Sequence, residues 1–251
     1  MTQKNVETDY VVRFGRRDRM DHLLVTVLFS VLVITGFPQK FHDAAIAKAI
    51  VNALGGIAQV RLFHRIAGVL VSGLTLAHLV GVLVAVITGR SSLSMMLSGK
   101  DFRDAVITLR YYLRASDVRA RFDRFDYKQK FEYWGLVLGS LVMIATGFIL
   151  LFPIAATRFL PGQVIPAAKV AHTNEGLMGF LVVVIWHLYN AHFAPEVFPF
   201  DKSIFTGKIS RARMRHEHPL EYARMLPEEA ADGAVDVLRD HEADPSRKQD
   251  G

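Results

Sequence analysis

Four long runs without Asp, Glu, Lys or Arg constrain this chain more than any other feature. A hydrocarbon core of roughly 30 Å is crossed by about 20 helical residues, and the runs have 18, 24, 25 and 20 residues. They are apolar all round, unlike the one-sided pattern of a water-soluble helix. The runs are His22–Gln39, Ile66–Gly89, Tyr133–Thr157 and Gly176–Pro195. We therefore predict an all-α integral membrane four-helix bundle, with helices at about 20–39, 63–89, 132–157 and 170–195.

The positive charges predict the orientation of this bundle. Of the 30 Lys and Arg residues, 24 lie before the first run, between the second and third, or after the fourth. Because basic loops stay on the cytoplasmic side, both termini are expected in the cytoplasm, with the protein in a bacterial inner membrane. The positive residues behind the net charge of +6 are thus distributed by membrane side. They do not indicate a protein that binds nucleic acid. Residues 1–225 form the predicted membrane domain, and 226–251 a polar, disordered tail.

Two connecting segments have the composition of helices that lie on a membrane surface. Residues 44–60 are apolar with a single Lys, and residues 101–114 mix Arg with aromatic and aliphatic side chains. Such a mixture is typical of interfacial helices. We expect the first on the outer side and the second on the cytoplasmic side.

The chain contains no cysteine. This absence excludes disulfides, iron–sulfur clusters, covalently attached c-type haem and thiolate zinc sites within the chain. A metal would have to be bound by His, Met or carboxylate side chains.

Histidines supply the most specific pattern, because six of the ten lie within or at the ends of the apolar runs. His64 and His78 are 14 residues apart on the second predicted helix, about 21 Å along its axis and within about 40° of one face. His172 and His187 are 15 apart on the fourth, about 22 Å and 60°. Two stacked pairs of imidazoles are what two b-type haems require. His64 and His172 share the outer level, whereas either His22 or His78 can pair with His187 at the inner level.

Neighbouring residues fit this interpretation. Gly68 and Gly176 each follow an outer histidine by four residues, so each leaves space on the same helix face for a porphyrin or for a neighbouring helix. Arg61 and Arg65 flank His64 and can pair with haem propionates or anchor the helix at the membrane edge.

Several ordered motifs resemble the prokaryotic di-haem cytochrome b family, over roughly residues 10–225. The likeness is closest to the cytochrome b (gamma) subunit of respiratory formate dehydrogenases, and it extends to related subunits of hydrogenases and thiosulfate reductases. The motifs are Arg13-Phe14, Arg19-x-x-His22, Thr35-Gly36, Arg61-x-x-His64-Arg65-x-x-Gly68, Tyr127-x-Gln129-Lys130, Tyr133-Trp134, Thr146-Gly147, His172-x-x-x-Gly176, Trp186-His187-x-Tyr189, Gly207–Ser210 and His218-Pro219.

The resemblance implies an electron-transfer subunit with two haem b groups. His64 and His172 would bind the outer haem, and His22 and His187 the inner one; His78 is additional to the family pattern. A quinone, either menaquinone or ubiquinone, would bind near the cytoplasmic face, with Asp126, Gln129 and His22 as candidate contacts; Asp126 replaces the amide of the family.

The same resemblance implies that substrate chemistry lies outside this chain. The partner would be a periplasm-facing dehydrogenase or iron–sulfur subunit, or a multihaem cytochrome c. The chain would serve a quinone-linked oxidoreductase complex without a substrate-oxidising site of its own.

Two other functions remain open at this stage. A His-lined metal or proton transporter would explain intramembrane histidines, although it favours carboxylates beside them in mid-membrane. A haem-free membrane anchor would require the histidine spacing to be accidental.

Overall fold

The chain divides into a four-helix unit and a smaller unit formed by three separate segments. In this computed structural model, residues 9–90, 93–195 and 197–227 are described. The four-helix unit comprises residues 14–93 and 131–207, and the smaller unit residues 9–13, 94–130 and 208–227. The disordered tail predicted for 226–251 lies outside the described residues from position 228 onward.

The described part of the chain is predominantly helical. In chain order its elements are β1 (Tyr10–Val12), α1 (Arg16–Lys40), α2 (Ala45–Ala53), α3 (Ile57–Ile87), α4 (Gly99–Tyr112), α5 (Tyr127–Leu151), α6 (Pro153–Ala156), α7 (Val164–Leu181, continued by π-helical Val182–His187 and Tyr189–Phe193), α8 (Ser203–Thr206), β2 (Lys208–Ser210), α9 (Arg211–Glu217) and α10 (Pro219–Met225).

Four of these helices are long and apolar enough to cross a membrane, as predicted from the charge-free runs. They are α1, α3, α5 and α7 with its π-helical extension, of 25, 31, 25 and 30 residues. In an apolar segment of 18 residues from each of these helices, at most 6% of the residues are buried inside the protein. An α-helix satisfies its own backbone hydrogen bonds, so such apolar surfaces suit a lipid environment.

The long helices begin before the charge-free runs that revealed them. Helix α1 starts at Arg16, where the Gly15 amide donates a hydrogen bond to Asp18 over 3.0 Å. Helix α5 ends at Leu151 rather than near 157, because Pro153 lacks an amide proton and starts the separate helix α6. A charge-free run therefore marks the part of a helix that lipid can surround, and polar turns extend beyond it.

Two adjacent glycines produce the sharp turn between α2 and α3. Gly55 and Gly56 have φ angles of 85° and 103°, a backbone region that glycine adopts without steric cost. The turn lets α3 begin at Ile57, directly after the short helix.

Helix α1 packs against both α3 and α7 in the four-helix unit. Phe37 on α1 meets Phe180 on α7 edge-on, with ring centroids 4.7 Å apart. Near the end of α1, Lys40 Nζ donates to Asn174 Oδ1 over 2.9 Å. These contacts bring the C-terminal part of α1 beside residues 174–180 of α7.

The smaller unit has its own hydrophobic core under a two-stranded antiparallel sheet. Val11 of β1 lies opposite Ile209 of β2. Ile209, Met214 and Tyr222 are buried together, and Val11 and Leu226 pack against them. The segment after the last long helix is therefore joined to the segment before the first.

Buried charges in the smaller unit are paired. Arg13 forms an ion pair with Glu221, which also accepts from Arg124 Nη1 at 3.0 Å. His218 Nδ1 donates to the carbonyl oxygen of Asp123 over 2.7 Å, and its Nε2 lies 3.2 Å from Arg13 Nη2. Such pairing offsets the cost of removing these charges from water.

Candidate metal centres

Two histidines from α3 and α7 face each other at one end of the four-helix unit. The ring centroids of His64 and His172 are 6.3 Å apart, and the ring planes make an angle of 79°. Both side chains are partly buried. The structure thus brings together the two residues that the sequence placed at the outer level.

Threonine hydroxyls hold both of these imidazoles. Thr35 Oγ1 lies 3.0 Å from His64 Nδ1, and Thr146 Oγ1 lies 3.0 Å from His172 Nδ1. Each hydroxyl donates its own proton to a backbone carbonyl one turn earlier, Val31 or Val142, over 2.6 Å. The hydroxyl oxygens therefore accept from Nδ1–H, which leaves Nε2 of both histidines unprotonated and able to bind a metal.

Glycines beside these threonines allow the close approach. A Cβ atom on Gly36 would lie 3.2 Å from His64 Cε1, and a Cβ atom on Gly147 would lie 3.2 Å from His172 Cε1. A side chain at either position would require the imidazole to shift by a few tenths of an ångström. The same Thr–Gly motif therefore contacts both histidines: α1 contributes it to His64 of α3, and α5 contributes it to His172 of α7.

A second pair of histidines joins α1 and α7 at the other end of these helices. The ring centroids of His22 and His187 are 6.2 Å apart, with an angle of 37° between the planes. His187 Nδ1 lies 2.7 Å from Glu132 Oε1 on α5. This acidic neighbour takes the position that a neutral threonine holds beside His64 and His172.

His78 is not part of this second pair in the structure. Its Nε2 lies 3.2 Å from the hydroxyl oxygen of Tyr133, and the two rings meet at 65°. Of the two partners that the sequence left open for His187, the geometry brings His22 alongside. His78 instead lies against α5.

The two histidine pairs are well separated along α7. The 15 residues from His172 to His187 correspond to about 22 Å of α-helix. His187 ends a π-helical stretch that starts at Val182, and such stretches occur frequently at functional sites.

The spacing of the paired imidazoles fits a haem iron bound by two histidines. With metal–nitrogen bonds of about 2 Å, both imidazoles of a pair could bind one iron at the observed centroid separations of 6.3 and 6.2 Å. Within the described ranges, no group of three or more His, Asp or Glu side chains converges as a site built from protein ligands alone would require. Two imidazoles per site suit a cofactor such as haem, in which the porphyrin supplies the remaining ligands of the metal.

The remaining predicted haem neighbours differ in their surroundings. A Cβ atom on Gly68 would meet nothing within 4 Å, whereas one on Gly176 would lie 3.5 Å from Met143 Cε. Gly68 therefore borders open space one turn from His64, and Gly176 serves helix packing. Arg61 and Arg65 are exposed on the first turns of α3.

The predicted quinone contacts Asp126 and Gln129 belong to the smaller unit, where they cap α5. The Gln129 amide donates to Asp126 Oδ1 over 2.8 Å, and the Asp126 amide donates to Gln129 Oε1 over 3.2 Å. Burial raises the pKa of Asp126, although nearby amides and cations oppose that effect. His22, the third candidate, lies in the four-helix unit.

Sequence reasoning named Thr35-Gly36 and Thr146-Gly147 as motifs of the resemblance but assigned them no role in holding the histidines, and it did not name Glu132. Thr35 and Thr146 each begin a Thr-Gly-Phe tripeptide near the C-terminal end of α1 or α5, and this tripeptide occurs twice in the chain. That repetition was the available signal. Glu132 lies directly before the third run. Because that run is defined by the absence of charged residues, Glu132 cannot belong to it.

Comparison with known proteins gives one set of relatives. No family model matches the chain. It is 26% identical, over 107 residues, to the nitrate-inducible formate dehydrogenase cytochrome b556(Fdn) subunits of Escherichia coli K12, Escherichia coli O157:H7 and Shigella flexneri. The match covers 43% of this chain and 47% of each relative, so the chain spans about half the length of the curated relatives it matches. This likeness supports a relation to such cytochrome b subunits.

Proposed function

We propose that this chain is a membrane di-haem cytochrome b subunit that transfers electrons between a partner oxidoreductase and the quinone pool. The observation that carries the proposal is the pair of facing imidazoles at each of two levels. Their ring centroids lie 6.3 and 6.2 Å apart. His64 and His172 would bind one haem b, and His22 and His187 the other.

Haem held by two imidazoles supplies reversible one-electron transfer without an open position for substrate. The residues of this chain orient and insulate the two sites. Thr35 and Thr146 select the Nδ1–H tautomer of the outer histidines. Glu132 contacts the Nδ1 atom of His187, and the apolar faces of the long helices exclude water.

The charge distribution supports the orientation of the subunit. With basic loops on the cytoplasmic side, both termini lie in the cytoplasm of a bacterium and the His64–His172 pair lies toward the periplasm. The His22–His187 pair then lies on the cytoplasmic side. Electrons would enter or leave at the periplasmic end through a dehydrogenase, its iron–sulfur subunit or a multihaem cytochrome c.

The quinone would exchange electrons at the cytoplasmic end. Menaquinone and ubiquinone both fit this proposal, and His22 remains the candidate contact within the four-helix unit. Asp126 and Gln129 already bond to each other as the cap of α5, so a quinone contact by either would require that cap to open. A formate dehydrogenase is the proposed class of partner, because the similar Escherichia coli protein is named as a subunit of that enzyme.

One observation favours a second candidate, a proton or metal transporter. The Glu132 carboxylate lies 2.7 Å from His187 within a membrane-spanning helix, an arrangement that proton pathways use. Haem-binding histidines also contact carboxylates through their second nitrogen, so this contact alone does not discriminate. A haem-free anchor explains neither facing pair.

A reduced-minus-oxidised absorption spectrum of the purified protein tests the proposal. We expect a b-type band and two haems per chain. His64→Ala or His172→Ala should remove one haem, and His22→Ala or His187→Ala the other. His78→Ala is the matched control and should retain both. A purified, folded protein without a b-type band would refute the proposal and favour the transporter or the anchor.

A further inference from the structure

Helix α4 carries an exposed apolar stripe that the proposed electron transfer does not explain. Phe102, Val106, Leu109 and Leu113 are 71%, 56%, 57% and 69% exposed. Their spacing of four, three and four residues places them on one face of the helix and its C-cap. Four large apolar side chains in one row on a solvent-exposed helix indicate a surface that something covers.

The opposite face of α4 attaches the helix to its own unit. Asp101 and Asp104 are each only 6% exposed. Asp101 accepts from Lys130 Nζ over 2.8 and 3.0 Å. Lys100, itself on α4, pairs with Asp104 and donates to the carbonyl oxygen of Arg121 over 2.8 Å. The contacts to Lys130 and Arg121 determine which side of α4 faces outward, and the apolar stripe lies on that outward side.

The partner of Asp101 relates α4 to the membrane. Lys130 lies in the first turns of α5, one of the four helices that can span a bilayer. An ion pair of ordinary length thus holds the start of α4 at the end of a membrane-spanning helix. An exposed apolar stripe on a helix bound to such a segment suits the boundary between headgroups and acyl chains.

Positive charge borders the stripe on one side. Arg103, Arg110 and Arg114 are exposed and follow the apolar residues at helical positions rotated by about 100°. A cationic flank beside an apolar stripe complements anionic phospholipid headgroups.

We infer that α4 lies on the membrane surface and binds anionic phospholipids, with its apolar stripe inserted and its three arginines on the headgroups. The inference does not depend on haem. The residues of α4 belong to the smaller unit, whereas the proposed haem ligands belong to the four-helix unit. It explains why this loop between two membrane-spanning helices contains an amphipathic helix.

The absence of cysteine makes a direct test possible. A fluorophore on Val106→Cys reports the stripe, and one on the exposed residue Asp117→Cys is the matched control beyond the helix. The full chain is reconstituted into phosphatidylcholine vesicles with or without phosphatidylglycerol. We expect headgroup-labelled quencher lipids to quench the Val106 label more than the Asp117 label. Aqueous iodide should show the reverse order.

The arginines are tested by charge removal. The triple variant Arg103→Gln, Arg110→Gln and Arg114→Gln should lose the extra lipid quenching that phosphatidylglycerol produces. A control that removes three exposed cations elsewhere, Lys48→Gln, Arg158→Gln and Lys169→Gln, should retain it.

Two quenching results would overturn the inference. Free access of iodide to the Val106 label, without lipid quenching, would mean that the stripe stays in water. Shielding from both quenchers would mean that a protein surface or a second copy covers it. Photoactivatable phosphatidylglycerol provides an independent measurement on the unaltered chain, in which cross-links should map to residues 99–114. Their absence there would also refute lipid binding.

Discussion

The ring of His64 stands nearly perpendicular to that of His172, at 79°, whereas His22 and His187 are inclined by only 37°. Both pairs have almost the same centroid separation, so the two sites differ in the orientation of their rings and in the residues beside them. The difference in ring orientation has measurable consequences.

The first consequence concerns the electron paramagnetic resonance spectrum of the oxidised, haem-loaded protein. Two imidazoles with parallel planes would both raise the energy of the same iron d orbital. Two imidazoles with perpendicular planes would raise the energies of different d orbitals. The energies of these orbitals would then lie closer together, and the g values would be more anisotropic. We expect two low-spin signals, the one with the larger maximum g value belonging to His64 and His172. It should disappear in His64→Ala and persist in His22→Ala. The opposite assignment would contradict the ring geometry.

Removing the threonine hydroxyls should weaken the outer site selectively. Thr35→Val or Thr146→Val deletes the acceptor for one Nδ1–H, and loss of such a partner lowers metal-site affinity by about 10–100-fold. Titration of the haem-depleted protein with haem, followed by absorbance, measures this effect. Thr35→Ser and Thr146→Ser keep the hydroxyl and should restore affinity. Equal losses in the Val and Ser variants would show that packing alone matters.

Glu132 should lower the reduction potential of the inner site. A carboxylate 2.7 Å from His187 Nδ1 increases the electron donation of the imidazole and so stabilises the oxidised iron. Glu132→Gln should raise the inner midpoint potential while both haems remain bound. In a spectroscopic redox titration, the control Glu175→Gln, which alters a second carboxylate of the four-helix unit, should leave the inner potential unchanged. An unchanged potential in Glu132→Gln, with haem present, would refute this role without affecting the haem assignment.

The smaller unit should lose stability in mild acid. Burial, with the nearby Arg13 charge, lowers the pKa of His218 from its ordinary 6.5 to about 4. Between these values the unfolded chain binds a proton that the folded unit does not. The contribution is therefore complete above pH 6.5 and is lost as the pH falls to about 4, by roughly 3 kcal/mol.

Hydrogen exchange of the Ile209 and Met214 amides at pH 7 and pH 5 measures this loss. Asn at position 218 can donate to the Asp123 carbonyl and accept from Arg13 without titrating in this range. His218→Asn should therefore flatten the difference between the two pH values. The same pH dependence in this variant would assign the effect to other groups.

The four helices that are long and apolar enough to cross a membrane could be predicted because the requirement is local. A segment in lipid must satisfy its own backbone hydrogen bonds and present apolar side chains on every face, so the run from Ile66 to Gly89 identifies itself without reference to the rest of the chain. The ends were less predictable, since capping by Asp18 or interruption by Pro153 depends on short-range contacts outside the apolar run.

The histidine pairs show where local reasoning stops. Spacing along a helix gives the depth of a residue, and depth was enough to place His64 level with His172. Depth did not separate His22 from His78, because both lie near the inner level and only the rotation and packing of the helices decide which one faces His187. Packing brings α1 to α7 and directs His78 toward Tyr133.

The sequence by itself thus determined the helices, their number and the chemical type of the candidate ligands, since each follows from residues close together in the chain. Only the tertiary structure decided which imidazoles meet and which side chains orient them. Thr35 and His64 are 29 residues apart, and Glu132 and His187 are 55 apart. Contacts across such distances depend on how helices rotate and pack against one another, a property of the whole unit that no single segment encodes.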